Sequence, residues 1–250
     1  MSTETSPKSD TETGNYKNPV SATVFGILDL FRKKERIGTL AKGERLDGKT
    51  CLVTGANSGL GRATAIELAQ RGAYVILACR SGIPDAGEEI KRASGSDKIE
   101  MVKLDLADAD AINACCDELK KRKVTLDRLV LNAGVVPRTP IRTKQGFELM
   151  FGVHYLGNRR FVQRLLEDGT LPNNSFAKTP NGRPENPPRI VFVSSESHRS
   201  GTPIDFDTLG EFVDYGVMQS IAQYGHSKLV MTAYARELSR RLTSDQGVDV

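Results

Sequence analysis

The sequence predicts an α/β fold built on a doubly wound parallel sheet. Three observations carry that expectation. From Thr50 onward, short apolar runs alternate with longer stretches of helical period. Alternation of this kind implies a parallel sheet covered by helices on both faces. The runs around Cys51 and Cys79 are almost continuously apolar, as strands buried on both sides must be. A glycine-rich turn, Gly55 to Gly61, joins the first run to the first helix.

The expected strands are 50–54, 74–79, 100–105, 128–132 and 189–194, and the expected helices are 60–71, 84–93, 109–122, 147–166 and 224–242. Parallel neighbours need crossover helices, and such crossovers are right-handed almost without exception. No internal repeat is present. The polar loop 168–188 carries Pro172, Pro180, Pro184, Pro187 and Pro188 and reads as a mobile surface insertion.

Composition excludes several classes. Lys+Arg 35 against Asp+Glu 31 gives a net charge of +4, too balanced for a nucleic-acid binder. No apolar run reaches the roughly 18–20 residues of a membrane span. Residues 1–19 lack Val, Ile, Leu and Phe and read as a disordered tail. Residues 20–46 read as an amphipathic helix and linker. Val24, Ile27, Leu28 and Phe31 share one helical face, and Arg32, Lys33, Lys34 and Arg36 follow. Two readings of 20–36 stand: peripheral contact with an anionic membrane surface, or a short helix packed on its own domain. Residues 47–250 form the expected dinucleotide-binding domain. Cys51, Cys79, Cys115 and Cys116 have no metal-ligand spacing and read as reduced cysteines of a cytoplasmic protein, with membrane association left open. The adjacent pair Cys115 and Cys116 also fits a redox couple.

After the first strand comes Thr54-Gly55-Ala56-Asn57-Ser58-Gly59-Leu60-Gly61. Glycines between a strand and a helix allow a tight turn, a close backbone approach to a pyrophosphate and close helix packing. The helix N-terminus then offers free N–H groups and partial positive charge to the phosphates. The sheet is therefore Rossmann-like, and Gly55, Asn57, Ser58, Gly59, Leu60 and Gly61 are candidate cofactor contacts. An NAD site commonly ends its second strand on an acidic residue that binds the ribose. Here that position holds Arg80, which can pair with a 2′-phosphate, so NADP is favoured over NAD. Arg80 as a solvated surface residue fits as well. Asp105, with Leu106 beside it, ends the third strand, as an adenine contact or a turn cap.

Tyr224-Gly225-His226-Ser227-Lys228 opens a helical run, and Tyr224 and Lys228 project from one face of it. An ammonium beside a phenol favours the phenolate, and the pair can then exchange a proton near neutral pH. Ser194-Ser195 ends the fifth strand and Asn132-Ala133-Gly134 the fourth. Open α/β sheets bind ligands at such carboxyl ends. In these motifs and their order, residues 50–250 resemble the short-chain dehydrogenase/reductase family. The segments Ala78-Cys79-Arg80-Ser81 and Phe151-Gly152-Val153 are most similar to its retinol-dehydrogenase-like branch. The resemblance implies Tyr224 as acid/base, Lys228 as its partner and a ribose ligand, and Ser195 as the substrate-orienting hydroxyl. It implies that Asn132, Ala133 and Gly134 support the cofactor. It further implies an NADP-dependent oxidoreductase interconverting an alcohol and a ketone or aldehyde, with a rather apolar small-molecule substrate.

Two departures accompany the resemblance. Where the family commonly places an asparagine that holds a relay water, the run Phe151-Gly152-Val153-His154-Tyr155-Leu156-Gly157 places His154. Histidine can bind a water and titrate near neutrality. It can also block the water or serve structure alone. His198 and His226 read as wall or surface residues. Secondly, Val248-Asp249-Val250 reads as the opening of a sixth strand, so the domain is expected to be incomplete at its C-terminus, with C-terminal strands apparently missing. These departures motivate the alternative of a non-catalytic dinucleotide-binding or regulatory protein. Between Ser195 and Tyr224, the apolar residues Ile204, Phe206, Leu209, Phe212, Val213, Tyr215, Val217, Met218 and Ile221 fit one wall of an apolar pocket or a surface insertion equally. Homo-oligomerisation stays open.

Overall fold

Apolar residues on both faces of the runs 50–54 and 74–79 let the sheet bury both faces at its centre, whereas Val191 on an edge strand is 45% exposed. The computed structural model describes residues 43–172, 188–201 and 203–243. All of them lie in the larger of two compact units, Arg36–Val250. The chain runs β1 (Thr50–Thr54), α1 (Gly59–Gln70), β2 (Tyr74–Cys79), α2 (Asp85–Ser94), β3 (Ile99–Lys103), α3 (Ala109–Lys121) and β4 (Arg128–Leu131). Then come α4 (Leu149–Phe151), a π-helical segment (Gly152–Gly157), α5 (Asn158–Glu167), β5 (Arg189–Phe192), a 3₁₀ turn (Glu196–Ser200) and α6 (Val217–Thr243). Among the described residues the five strands pair in parallel in the order β3-β2-β1-β4-β5. The order reverses between β1 and β4, the position at which an open α/β sheet leaves a crevice.

Two cores follow from the strand alternation. Cys51, Val53, Val75, Leu77 and Cys79 face α1 and α2 through Ala65, Ala69 and Ile90. Leu52, Ile76, Leu129, Leu131 and Ile190 face the other side, where Ile112, Leu119, Phe161, Leu165 and Leu238 meet them. The cysteines belong to these cores. All four are free, buried thiols, and burial pushes Cys51 up to about 11 and Cys115 and Cys116 up to about 12. Thiols held protonated in this way are poor nucleophiles, so the redox-couple reading of Cys115 and Cys116 falls.

Several expected boundaries move. β3, β4 and β5 end earlier than expected: Leu104 and Val193 keep one last hydrogen bond to the neighbouring strand, and Asp105, Asn132 and Ser194 beyond line the crevice. The expected helix 147–166 begins at Leu149, where the Glu148 carboxylate accepts from the Phe151 N–H at 2.9 Å, and it is interrupted by the π segment. Gly157 is required there, since a Cβ would collide with the Leu106 carbonyl. The last helix begins at Val217 and not at Tyr224. The Gln219 side chain caps it by accepting from the Gly216 N–H at 3.1 Å. Val217, Met218 and Ile221 in its first turns are exposed, so no buried stripe marks that part of the helix in the sequence. The loop expected at 168–188 begins anchored: Asp168 pairs with Arg164 and Lys120, and Leu171 is buried. Its remainder, 173–187, lies outside the described residues, as do the expected tail 1–19, the segment 20–36 and the expected sixth strand.

The chain between the 3₁₀ turn and α6 is tied down by one buried contact. The Tyr215 hydroxyl donates to the buried Glu148 carboxylate at 2.7 Å. Burial and that carboxylate raise the Tyr215 pKa, which keeps the donor proton in place. Tyr215→Phe leaves one carboxylate oxygen buried without this donor, and chemical denaturation is expected to show a loss of about 1–3 kcal/mol.

Candidate active site

At the carboxyl ends of β1 and β4 the strands part, and a cavity of about 520 Å³ opens between them. Thr54, the last residue of β1, holds the parting strands together. Its fully buried hydroxyl accepts from the backbone N–H groups of both Asn132 and Ala133, each at 3.0 Å. The Asn132 amide returns the link, donating to the Thr54 carbonyl at 3.0 Å and the Gly55 carbonyl at 3.4 Å. The glycine turn is thus fixed from beneath by β4.

Each glycine of that turn has its own reason. Gly55 has φ +64°, and a Cβ there would sit 3.0 Å from the Ala133 backbone. Gly59 has φ +53° with open space beyond it. Gly61 lies where a Cβ would strike the Asn132 amide. The N-terminus of α1 carries no side-chain cap, although Ser58 stands at the cap position. Uncapped N–H groups and partial positive charge therefore face the cavity, which is the arrangement that binds phosphate. Asn57, Ser58, Gly59, Leu60, Arg80, Ser81, Asp105, Leu106, Asn132, Ala133, Gly134, Tyr224 and Lys228 all line the same cavity. Gly55 lines it too, whereas Gly61 is buried beneath. Asp105 accepts from the Ala107 N–H at 2.9 Å through one oxygen, so it caps the turn after β3 while still reaching the cavity wall. These residues fit a dinucleotide: the α1 N-terminus would hold its phosphates, and Arg80 stands at the cavity wall just past β2.

Tyr224 and Lys228 enter from α6. The Lys228 ammonium lies 5.7 Å from the centre of the Tyr224 ring and donates to the Val193 carbonyl at 2.8 Å. Lys228 is 3% exposed, and burial lowers its pKa to about 8. Its charge thus persists at neutral pH while being poorly solvated.

Ser195 is placed differently from its neighbour. Ser194 lines the cavity and shares a 2.8 Å hydrogen bond with the Thr232 hydroxyl. Ser195 caps the 3₁₀ turn: its hydroxyl accepts from the Ser197 N–H at 3.2 Å and donates to the Ser197 hydroxyl at 3.1 Å. It is not among the residues lining the cavity. His198 folds back to contact the Ser195 carbonyl through Nδ1 at 2.6 Å.

His154 corrects one expectation. It is fully buried, and burial, followed by the Lys228 charge, lowers its pKa to about 3. It does not titrate near neutrality. Both ring nitrogens are engaged, one by the Val135 N–H at 3.0 Å and one by the Ser227 hydroxyl at 2.8 Å. The sequence reading missed Thr54 and Ser227. Their signal was a polar side chain at an otherwise apolar position, on a buried strand and on a buried helix face respectively.

Comparison with known proteins places this geometry. A family model described as short chain dehydrogenase matches residues 49–203. The chain belongs to the short-chain dehydrogenase family. Within it the chain falls in the retinol-dehydrogenase-like branch. It is 37% identical to retinol dehydrogenase 14 of Homo sapiens over 212 residues, covering 79% of this chain and 58% of that protein. It is 34% identical to retinol dehydrogenase 13 of Homo sapiens over 232 residues, covering 91% and 65%. The chain therefore spans about three fifths of the length of these relatives. A crystal structure of an uncharacterized protein from Mycobacterium paratuberculosis matches with a TM-score of 0.64 at 32% identity, covering 80% of this chain and 64% of that one. The NADP complex of RhlG from Pseudomonas aeruginosa shares the fold, with a TM-score of 0.58 at 24% identity and coverage of 81% and 69%.

The Thr54 clasp is directly testable. Thr54→Val keeps the shape and removes the acceptor for the N–H groups of two half-buried residues. It is expected to cost about 1–3 kcal/mol in denaturant unfolding. Thr54→Ser, which keeps the oxygen, should recover most of that loss.

Proposed function

We propose that this chain is an NADP-dependent oxidoreductase that interconverts an alcohol and a ketone or aldehyde of a rather apolar substrate. The observation that carries the reading is the meeting of Tyr224 and Lys228 at one cavity with the uncapped α1 N-terminus. A bound nicotinamide dinucleotide supplies or accepts the hydride. The chain's own residues orient it and move the proton. Tyr224 gives the proton to the carbonyl oxygen in reduction and takes it back in oxidation. The Lys228 ammonium favours the ionised phenol and grips the ribose. Ser195 holds the substrate oxygen, for which its hydroxyl must turn from Ser197. Arg80, exposed at the cavity wall, supports the choice of NADP through pairing with a 2′-phosphate.

The apolar substrate is supported by the first turns of α6. Val217, Ile221, Tyr224 and Lys228 recur at i, i+4, i+7 and i+11, one helical face. Val217 and Ile221 are 58% and 57% exposed, so an apolar track leads to the hydroxyl of Tyr224 with nothing among the described residues laid over it. The buried free thiols support a reducing, cytoplasmic setting. Among the described residues no helix is long and apolar enough to cross a membrane. Peripheral membrane contact through residues 20–36 and self-association belong to the same proposal.

A second reading, dinucleotide binding without turnover, draws on His154, whose engaged nitrogens leave it no free site for a relay water. One experiment separates the two. NADPH-linked carbonyl reduction is measured alongside NADPH binding by calorimetry. In the enzyme reading, Tyr224→Phe lowers kcat by about 10²–10⁴-fold with binding retained. Undiminished reduction by that variant sinks the assignment, and binding without reduction by the wild-type chain favours the second reading. Substrate length tests the apolar track. Ile221→Ser should raise KM for a long-chain aldehyde by about tenfold and leave a short-chain aldehyde little changed.

A further inference from the structure

His154 joins three pieces of chain through a complete run of hydrogen bonds. Its Nε2 accepts from the Val135 N–H at 3.0 Å. A nitrogen that accepts from a backbone N–H holds no proton of its own, so the neutral ring carries its proton on Nδ1. Nδ1–H then donates to the Ser227 hydroxyl at 2.8 Å. That hydroxyl passes its own proton to the carbonyl of Tyr224 at 2.8 Å. The imidazole also meets the Tyr224 ring edge-on, with centroids 5.6 Å apart. Val135 lines the cofactor cavity, and Ser227 and Tyr224 stand on α6. Gly134 leaves the ring room, since a Cβ there would sit 3.2 Å from Nε2.

We propose that His154 is a positioning residue that clamps the Tyr224–Lys228 helix to the cofactor-side loop as a neutral Nδ1–H imidazole, and carries no proton in the reaction. The proposal rests on the reading of Tyr224 as the acid/base, which it deepens. A protonated ring would point Nε2–H at the Val135 N–H, donor against donor. Lys228 and Tyr224 are the titratable groups that α6 sets against the ring, and the loop after β4 meets it with backbone. The Lys228 cation further opposes a second positive charge. His154 therefore supplies an acceptor on one side and a donor on the other, held apart by a rigid ring.

Linkage gives the sign of a pH effect. The folded ring has its pKa lowered to about 3, so the unfolded chain takes up the proton first as pH falls. Stability associated with His154 is present above the free histidine value of about 6.5 and is lost as pH falls through that window.

The decisive measurement is nitrogen NMR of the wild-type chain with labelled histidine. The chain has three histidines, and His154→Gln assigns the signals of the one at issue. The expected result is a single neutral Nδ1–H tautomer at every pH from about 8 down to about 5. An Nε2–H tautomer, or titration within that range, overturns the proposal. Kinetics supply the second arm. His154→Leu should lower kcat by about 10–100-fold, and His154→Gln, which keeps an acceptor and a donor on one planar group, should return to within about fivefold of wild type. The pH profiles of wild type and His154→Gln should keep the same limbs. Loss of an acidic limb in His154→Gln assigns proton transfer to His154 and overturns the proposal. Failure of the Tyr224 reading is seen separately, as activity retained by Tyr224→Phe, and leaves the NMR result standing.

Discussion

The site depends on one hydroxyl. β1 and β4 pair in register through Val53 and Val130 and then part. At a parting of this kind the backbone N–H groups that leave the ladder need new acceptors, since each is costly to bury unpaired. Thr54 supplies one oxygen for two of them, Asn132 and Ala133. The crevice can open at the switch point because its floor is satisfied from the side chain of a strand residue. The glycine turn, the α1 N-terminus and the loop that carries Val135 are then all referenced to that floor. A threonine at this position also keeps β1 regular, being β-branched and comfortable in a strand.

Much of this was legible in the sequence. Strand and helix alternation gave the sheet, because strands buried on both faces leave near-continuous apolar runs. The Gly55-x-x-x-Gly59-x-Gly61 turn was legible because neighbouring chain crowds a Cβ at Gly55 and Gly61, while Gly59 takes a positive φ that favours glycine. Tyr224 and Lys228 were legible because helical spacing alone puts them on one face. What escaped was of another kind. The start of α6 was hidden because Val217, Met218 and Ile221 are exposed, so no periodic burial announces the helix. The π segment left no pattern at all, since one extra residue in a turn has no compositional signature. Thr54 and Ser227 look like ordinary polar residues until their partners, far away in sequence, are known.

His154 shows why residue type underdetermines chemistry. In water histidine is the side chain that titrates nearest neutrality. In this core its two nitrogens face a donor and an acceptor that permit one tautomer, and removal from solvent opposes the charged form. The family resemblance left a water relay, a blocked relay and a structural role all open at this position. The partners point to a clamp. The difference lies in the Val135 N–H, a backbone group that no sequence motif can advertise.

Lys228 is the buried cation of the site. The cause of its lowered pKa is burial, and its hydrogen-bond partner, the Val193 carbonyl, is a dipole and not a charge. A cation in that position is held at a cost to stability. The sign follows from linkage: with the folded pKa at about 8, below the free value, the penalty is full below about 8 and is relieved as pH rises toward about 10.4. Such a cation gains more than a solvated one when a negative group arrives, because the interaction is little screened. In the proposed enzyme an ionised Tyr224 would be one such group, and the ribose of a bound dinucleotide would offer further acceptors. The neutral His154 leaves that gain undivided, since a second cation beside Lys228 would compete for the same negative charge. The fold thus stores an unfavourable charge at the point where the proposed proton transfer would need a favourable one.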